Sequence, residues 1–341
     1  MLRALLVLAI LAAPAGASTD VRVLDWSELD GWPEDDADAA LAVFRETCPD
    51  MPRDDWGALC ALAFDVEDGG ARGYFEALFR PVLIEDGREG LFTGYFEPEI
   101  DGALSPGGRY RHPIYRRPPD LPRGGPSLTR QEIADGALDG RGLEIAWLDD
   151  PVEAFFLQIQ GSGRIRLPDG GVIRVGYGGN NGHAYRSVGQ EMVRRNLIEP
   201  GQATAEVIQS WVRRNPEEGA ALLNHNPAFT FFREVGEVPA EAGPLGAMNR
   251  SITALRTVAV DPAIVPLGAP VWIETEGEVP RRRLMVAQDT GSAIKGAQRA
   301  DIFVGTGRDA GRAAGRIRDG GRMMVVLPNR MAWAMAPAGL L

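Results

Sequence analysis

The sequence has few of the residues from which metal sites and disulfide networks are built. Its 341 residues include two cysteines and three histidines, and the histidines stand far apart in unrelated contexts. A zinc or iron site needs His, Cys or carboxylate ligands at short, regular spacing, and this sequence offers none. We therefore expect no metal and no cofactor. The length excludes a small disulfide scaffold, because chains above ~250–300 residues build their own hydrophobic cores and usually divide into domains.

Lysine and long apolar segments are also scarce. Of the 36 basic residues, Lys295 is the only lysine and the other 35 are arginines. Because a compact ammonium and a planar guanidinium are not interchangeable, this lysine suggests a specific role. After residue 17 no segment approaches the ~20 apolar residues of a membrane span, so we expect no transmembrane segment. The sequence also lacks a P-loop and a Gly-x-Ser-x-Gly elbow.

The first 17 residues, MLRALLVLAILAAPAGA, have the three parts of a secretory signal peptide. A basic residue comes first, a short apolar core follows, and small residues end the segment. We therefore expect an exported protein whose mature form is soluble and begins near Ser18. A lipid anchor is not expected, because no cysteine follows the small residues.

The two cysteines, Cys48 and Cys60, are candidates for one disulfide. On a single helix they would be too far apart to bond, but Pro49 and Pro52 interrupt the chain between them. Two short antiparallel helices would bring them together, and an exported protein meets the oxidising conditions that favour a bond. The alternative is a pair of unpaired thiols in the core. A catalytic cysteine is not indicated, because no histidine is near either residue in the sequence.

Charge is distributed unevenly along the chain. The formal net charge is -11, which disfavours nucleic acid as a partner, since a nucleic-acid binder needs a basic face. Residues 18–100 hold 6 basic and 21 acidic side chains, whereas residues 281–330 hold 11 basic and 4 acidic ones. We therefore expect any surface that attracts an anionic partner to lie on the C-terminal segment.

The pattern of apolar residues predicts helices first and strands afterwards. Three helices are expected within residues 35–80, where apolar side chains recur at three and four spacing. From Gly90 onward, glycines and prolines separate short apolar segments, which indicates strands and turns. Five such strands near the C-terminus suggest a small barrel. They cover residues 256–260, 270–275, 284–288, 301–304 and 323–327.

The strongest candidate site surrounds the loop between the third and fourth of these strands. Asp289 ends one apolar strand, Lys295 lies in a glycine-containing loop, and Asp301 begins the next strand. Two carboxylates and an ammonium around one loop at a barrel rim are typical of a binding or catalytic site. The structural alternative is that these aspartates only cap turns.

A second candidate site combines two glutamines with a glycine turn. The segment Phe155-Phe-Leu-Gln-Ile-Gln160 is predicted to be a buried strand, on which Gln158 and Gln160 would share one face. Gly161 and Ser162 then begin a turn in which a ligand can approach the backbone. Paired amides suit the hydroxyl and acetamido groups of sugars. The alternative is two polar residues on a solvated face.

Two aromatic segments are more ambiguous. Residues 176–185 form a loop rich in glycine, asparagine and tyrosine, which suits either a sugar cradle or a flexible connector. Tyr95, on the strand predicted over residues 91–97, has a ring that can stack on a sugar. Aromatic residues in strands are also common in hydrophobic cores, so both interpretations of Tyr95 stay open.

Taken together, these segments resemble the membrane-bound lytic murein transglycosylase A family. They occur in the family's order across about residues 90–305, and their joint occurrence is more specific than any one of them. The matching segments are Thr93-Gly-Tyr-Phe-Glu-Pro98, Asp150-Pro151, Phe155-Phe-Leu-Gln-Ile-Gln-Gly-Ser-Gly163, Asn226-Pro-Ala-Phe-Thr-Phe-Phe232, Val260-Asp-Pro262, Ile264-Val-Pro-Leu-Gly268 and Asp289-Thr-Gly-Ser-Ala-Ile-Lys-Gly296 with Asp301. The last also resembles the three-aspartate module of cell-wall proteins, in which the residues matching Asp261, Asp289 and Asp301 lie on a double-psi β-barrel.

The resemblance implies a fold of the α+β class that is mainly β with flanking helices. A double-psi β-barrel is split by an inserted β-rich domain, and the glycan lies in the groove between them. For this chain the expected order is a signal peptide at 1–17 and a helical layer at 18–88. The barrel is then expected at 89–105 and 245–330, with the insert at 106–244.

The resemblance also implies the reaction. The enzyme would be periplasmic and would cleave the β-1,4 bond between N-acetylmuramic acid and N-acetylglucosamine in peptidoglycan, leaving a 1,6-anhydromuramyl end. Asp301 matches the catalytic acid: it would protonate the leaving oxygen and then accept the proton of the sugar's own C6 hydroxyl. Its pKa must be raised for this, by burial or by Asp289. An ammonium in contact with Asp301 would lower this pKa, so Lys295 is expected to contact the substrate or Asp289 instead.

The other expected site residues follow from the same motifs. Asp289 is expected to support Asp301, and Asp150 and Asp261 to have structural roles. The expected substrate-binding residues are Thr93, Gly94, Tyr95, Gln158, Gln160, Gly161, Ser162 and Lys295. The expected partner is the glycan strand of peptidoglycan. Two alternatives stay open: a two-carboxylate murein hydrolase that uses Asp289 and Asp301, and a non-catalytic barrel module that binds wall glycans.

Overall fold

The structure, a computed structural model, describes residues 19–122, 124–236 and 238–336. The predicted signal peptide lies outside these residues. Within the described ranges, every helix is too short or too polar to cross a lipid bilayer.

Strands dominate the described part of the chain. In chain order they are β1 (Asp20–Val23), β2 (Phe79–Glu85), β3 (Leu91–Glu97), β4 (Glu99–Ala103), β5 (His112–Tyr115), β6 (Glu144–Leu148), β7 (Gly163–Arg166), β8 (Val172–Asn180), β9 (Thr230–Val235), β10 (Thr257–Val260), β11 (Pro270–Thr275), β12 (Arg281–Thr290), β13 (Arg299–Thr306), β14 (Arg318–Asp319) and β15 (Gly321–Pro328).

The helices are short and lie around the sheets. They are α1 (Ala37–Thr47), α2 (Arg53–Phe64), α3 (Ala71–Leu78), α4 (Arg130–Ala134), α5 (Pro151–Gln160), α6 (Val188–Arg194), α7 (Ala205–Arg214), α8 (Pro216–Leu223), α9 (Gly307–Ala314) and α10 (Asn329–Met335). Short 3-10 segments cover Trp26–Glu28, Trp32–Glu34 and Cys48–Asp50.

The strands form two mixed sheets. Nine strands pair in the order β1-β2-β15-β11-β12-β10-β13-β3-β14, and six pair in the order β5-β6-β4-β7-β8-β9. Within the nine-stranded sheet, β10 runs parallel to β12 and β3 runs parallel to β13. The two outer strands of this sheet, β1 and β14, are not paired with each other in the described residues, so the nine-strand order is open at both ends. The expected α+β class with predominant sheet is confirmed.

The largest hydrophobic core lies between the nine-stranded sheet and the N-terminal helices. The fully buried ring of Phe79 is the centre of an aromatic cluster with Phe44, Trp56 and Phe75. Burial of each such side chain stabilises the fold by ~1.5–3 kcal/mol. The helices α1 to α3 pack against this sheet, but residues 18–88, expected as a helical layer, also contain strands. β1 and β2 belong to the sheet, because the apolar run after α3 continues into an extended segment.

Cys48 and Cys60 form a disulfide, as expected. Cys48 follows α1 and Cys60 lies within α2, and their Cα atoms are 5.5 Å apart. By limiting the conformations of the unfolded chain, a bond that closes so short a loop contributes ~3 kcal/mol.

The chain passes from the first sheet to the second at Pro98. β3 ends at Glu97, and β4 starts at Glu99 and pairs with β6 and β7. The predicted boundary, which kept residues up to 105 in the barrel, is therefore too late. The physical reason is that Pro98 has no N–H with which to continue the ladder of β3.

The basic C-terminal segment faces the acidic N-terminal layer. Arg282 pairs with Asp30 at 2.5 Å, and Arg330 pairs with Asp55. Arg283 lies 3.8 Å from Asp35. The chain's own acidic residues thus neutralise much of the cationic surface that we expected to attract an anionic partner.

Candidate active site

Asp289 and Asp301 lie on either side of β10. In the strand register, Ala259 is opposite Asp289 of β12 on one side and opposite Asp301 of β13 on the other. Residues paired across neighbouring strands place their side chains on the same face of a sheet. The structure therefore brings the two predicted carboxylates to one face of the first sheet.

Asp301 is held by Thr93 of the parallel neighbour β3. The Thr93 hydroxyl donates to Asp301 Oδ1 at 2.7 Å and accepts from Arg299 Nη2 at 2.8 Å. Burial raises the pKa of Asp301, and the Thr93 hydrogen bond and the Arg299 charge oppose this only in part. Asp301 Oδ2 receives no hydrogen bond from the described residues, so it stays available to a ligand.

Asp289 has both carboxylate oxygens occupied. Tyr95 donates its hydroxyl to Oδ2 at 2.8 Å, and the backbone N–H groups of Thr290 and Ala247 donate to Oδ1 at 2.9 and 3.0 Å. Burial raises the pKa of Asp289, these hydrogen bonds lower it, and the charge of Asp301 raises it further. The net direction is upward.

The Tyr95 hydrogen bond also reveals the shape of the sheet. Tyr95 and Asp289 are on β3 and β12, which are three strand positions apart in the order β3-β13-β10-β12. In a flat sheet this is ~14 Å between backbones, and side chains that stand roughly perpendicular to the sheet would not bridge it. The sheet is therefore strongly curved around the two aspartates. The Tyr95 ring also packs 5.3 Å from that of Phe303.

Lys295 pairs with Asp261, contrary to our expectation that it would contact Asp289 among protein groups. Its Nζ lies 3.2 Å from Asp261 Oδ1, and the Gly296 backbone N–H donates to Oδ2 at 3.1 Å. Burial tends to raise the pKa of Asp261, but these bonds and that from the Ala263 N–H outweigh it, and the pKa is lowered. Asp261 therefore ties the loop after β12 to the end of β10.

Gly94 faces away from the two aspartates. A Cβ atom at this position would lie 2.8 Å from the Cα atom and 2.9 Å from the carbonyl oxygen of Ala314 in α9. The glycine is thus required by the close packing of α9 on β3. Gly94, predicted to bind substrate, therefore packs on α9. Its neighbours Thr93 and Tyr95 lie on the opposite face of the sheet, with Asp301 and Asp289.

The predicted glutamine strand is wrong, because residues 151–160 form the helix α5. Asp150 caps its N-terminus by accepting from the Val152 N–H at 2.8 Å, and Pro151 takes the first helical position. The second oxygen of Asp150 accepts from Arg213 at 2.7 Å. Asp150 therefore has a structural role, as expected, and the two glutamines do not alternate along a strand.

Both glutamines lie near the C-terminal end of α5, where Gln160 contacts the first sheet and Gln158 is buried. Gln160 Oε1 accepts from the Phe96 N–H of β3 at 3.1 Å. Gln158 is 8% exposed, and its Oε1 has no hydrogen-bond partner. Gly161 ends the helix with a φ of 78°, a conformation that favours glycine, and Ser162 is buried next to it.

The polar loop predicted over residues 176–185 begins as the end of β8. Tyr177 is exposed and receives a hydrogen bond from Asn180, and both border a cavity of about 570 Å³ with Arg117. Asn181 is buried, and its Oδ1 accepts a hydrogen bond from the Phe229 N–H at 2.9 Å, which fixes the loop against the start of β9.

Sequence reasoning missed Arg299 and Glu97. Arg299 is two residues before Asp301 on one strand, so the alternation of side chains could have placed both on the same face. Glu97 lies two residues after Tyr95 and has a buried side chain that accepts from Arg164 and Arg174. Its long-range partners leave no local signal in the sequence.

Two protein-family models match this chain, and together they cover most of both sheets. The 3D domain matches residues 256–327, and the MltA specific insert domain matches residues 91–233. The chain is therefore built from a 3D domain and this insert.

Known relatives share the same architecture. Membrane-bound lytic murein transglycosylase A of Vibrio cholerae is 33% identical over 72% of this chain and 69% of its own length. The crystal structure of the membrane-bound lytic murein transglycosylase from Agrobacterium tumefaciens has a TM-score of 0.83 at 31% identity, covering 92% of this chain and 99% of that one. Escherichia coli MltA with bound chitohexaose has a TM-score of 0.71 at 28% identity, covering 86% and 90%. This chain belongs to the membrane-bound lytic murein transglycosylase A family.

Proposed function

We propose that this enzyme cleaves the β-1,4 bond between N-acetylmuramic acid and N-acetylglucosamine and leaves a 1,6-anhydromuramyl end, with Asp301 as its single acid and base. Family membership makes it a peptidoglycan lytic transglycosylase. The observation that carries the mechanism is the contrast between the two carboxylates, since Asp301 has a free oxygen and Asp289 has none.

Asp301 has the properties that a general acid needs. Its raised pKa keeps a larger fraction protonated near neutral pH than an ordinary aspartate would have. In the proposed reaction the acid proton moves to the leaving oxygen as the glycosidic bond breaks. The C6 hydroxyl of the muramyl sugar then bonds to the anomeric carbon, and the Asp301 carboxylate takes the hydroxyl proton.

Asp289 is assigned a supporting role. A second catalytic carboxylate would need an oxygen free to attack the sugar or to activate water. The three hydrogen bonds to Asp289 occupy both of its oxygens and orient Tyr95. This favours the one-carboxylate route, in which the substrate supplies its own nucleophile, over the two-carboxylate hydrolase.

The glycan is proposed to bind between the two sheets. Thr93 and Tyr95 would contact it from the first sheet, and Gln158, Gln160 and Ser162 from the end of α5. The hydrogen bond from the Phe96 N–H to Gln160 Oε1 supports this, because it holds the end of α5 against the strand that carries Thr93 and Tyr95. The Escherichia coli relative, solved with bound chitohexaose, shows that a protein of this fold binds a glycan.

The remaining architecture is also a proposal. The strong curvature of the first sheet and its parallel pairs support a double-psi barrel interrupted by the insert. The first 17 residues and the disulfide support export to the periplasm.

The test is the chemistry of the products released from purified murein. Wild-type enzyme should release muropeptides with anhydro ends, and Asp301→Asn should lose about 10²–10⁴-fold in kcat, the range expected for removal of a general acid. Mass spectrometry distinguishes anhydro ends from reducing ends by the mass of one water.

Asp309→Asn is the matched control. Asp309 is an exposed residue of α9, and its one ion pair among the described residues is with Arg312, so this variant should keep wild-type activity. Reducing ends from the wild type would favour the two-carboxylate hydrolase instead. Tight murein binding without any soluble product would favour a non-catalytic module, and full activity of Asp301→Asn would remove Asp301 from the acid role.

A further inference from the structure

We propose that Glu97, Arg164 and Arg174 form a buried ionic clamp that fixes the angle between the two sheets. This would set the width of the groove beside Asp301. The inference rests on the proposed function, because it gives these residues a positioning role in that groove.

Glu97 is the carboxylate on which the clamp depends. It is the last residue of β3, two positions after Tyr95, and its side chain is 1% exposed. Arg164 Nε donates to Oε2 at 2.9 Å and Arg174 Nη2 donates to Oε1 at 3.0 Å. The Thr306 hydroxyl of β13 completes the arrangement at 2.8 Å. One buried carboxylate of the first sheet thus binds two guanidinium groups of the second.

The two arginines need this carboxylate. Arg164 and Arg174 are directly opposite each other on the antiparallel strands β7 and β8, and like charges at such positions repel. Their side chains are 14% and 9% exposed, so water screens the repulsion poorly. A buried charge needs a partner of opposite sign. The two arginines of the second sheet find theirs in Glu97, which belongs to the first sheet.

The same arginines hold both connections between the sheets. The outgoing connection is at Pro98, whose carbonyl accepts from the Arg164 backbone N–H at 2.8 Å. The returning connection follows β9, and there Arg164 donates to the Ala240 carbonyl at 2.7 Å. Arg174 donates to the Pro239 carbonyl at 3.0 Å, and both arginines reach Ala242. A rotation of one sheet against the other would have to break these bonds.

The clamp lies next to the groove. The Phe96 N–H, beside Glu97, donates to Gln160 at the end of α5. Tyr95 and Asp301 belong to the first sheet, whereas the α5 glutamines are on a helix that packs on strands of the second. A change in the angle between the two sheets would alter the distance from Tyr95 and Asp301 to the α5 glutamines, and in the proposed groove all of these groups contact the same sugar chain.

The experiment compares Glu97→Gln with Glu274→Gln. Glu97→Gln keeps the shape of the side chain but removes the charge between the two arginines. Glu274 is also buried and paired with an arginine, Arg322, but both residues belong to the first sheet. The control therefore loses a comparable ion pair without affecting the connection between the sheets.

Two measurements are made on the oxidised full-length protein. Spin labels at Val279→Cys and Val172→Cys, exposed positions beside the first and second sheets, report the distance between the sheets. We expect a narrow distance distribution in the wild type and in Glu274→Gln, and a broad one in Glu97→Gln. The KM for murein should rise about tenfold or more in Glu97→Gln, because small misplacements of a positioned substrate are costly.

Unchanged distances and KM in Glu97→Gln would overturn the clamp. An equal rise in KM in Glu274→Gln, with narrow distances in both variants, would also overturn it by showing a general loss of stability. The distances do not depend on catalysis. If Asp301→Asn kept its activity, the proposed mechanism would fail, while the distance measurement would still decide the role of Glu97.

Discussion

Asp261 directly follows β10 and Asp301 lies on the neighbouring strand β13, but their surroundings act on the two carboxyl groups in opposite directions. At Asp261, two backbone N–H groups and Lys295 stabilise the charged form and lower the pKa despite burial. At Asp301, burial prevails over one hydroxyl and one nearby guanidinium, and the pKa is raised. The comparison separates a carboxylate that is kept ionised to hold a loop from one that is kept protonatable for chemistry.

Asp261→Asn should produce the largest effect on stability. We expect the free energy of unfolding at pH 7 to fall by about 1–3 kcal/mol, because buried donors lose a charged acceptor. The folded variant should keep most of its kcat. A carboxylate with a lowered pKa stabilises the fold above its unfolded pKa of ~3.9, and this stabilisation is lost as the pH falls through the folded pKa.

Urea unfolding at several pH values tests this prediction. The difference in unfolding free energy between wild type and Asp261→Asn should therefore narrow in acid, below pH ~3.9. A loss of kcat as large as that of Asp301→Asn would remove the distinction between the two aspartates.

Thr93→Val should shift the pH profile of the reaction. The Thr93 hydroxyl lowers the pKa of Asp301, so its removal should raise this pKa further. Since the acid must be protonated, kcat falls as the pH rises through this pKa, and the alkaline limb of the profile should move to higher pH. Thr93→Ser keeps a hydroxyl and should leave the limb in place. A shift to lower pH in Thr93→Val would contradict the hydrogen-bond assignment.

Lys295→Met should have the smallest effect. Its side chain is 58% exposed, so solvent screens the pair with Asp261, and a loss of about 0–1 kcal/mol is expected. Unfolding measured at low and high salt should show the loss mainly at low salt, because salt screens exposed pairs. A large rise in the KM for murein without a change in stability would instead assign Lys295 to the substrate.

The sequence predicted those strands whose signals are local. The strand over residues 270–275 has the predicted bounds, since apolar and β-branched residues lie between turn residues. The segment 155–160 was wrong because a short apolar run fits a buried strand and a buried helix equally well. Asp150 and Pro151 are typical of a helix start and could have decided between the two.

The candidate site was predictable in part for the same reason. Asp289 and Asp301 bracket one loop, so their proximity follows from the chain itself. The partner of Lys295 did not follow, because Asp261 comes directly after β10, and two strands, β11 and β12, lie between β10 and the loop in the sequence. Pairs such as Arg282 with Asp30 are also long-range, and charge counts reveal an excess without revealing what neutralises it.

The chain leaves the first sheet at Pro98 and returns to it near residues 239–242, and these two connections lie side by side. Arg164 touches both, so the ends of the intervening segment are as close together as the two ends of a surface loop. Within the nine-stranded sheet, β3 precedes this segment and pairs with β13 and β14, which follow it. The strands that carry Asp289 and Asp301 therefore pair only with strands outside the intervening segment among the described residues, so the second lobe branches from the first sheet without interrupting the ladder that holds the two aspartates.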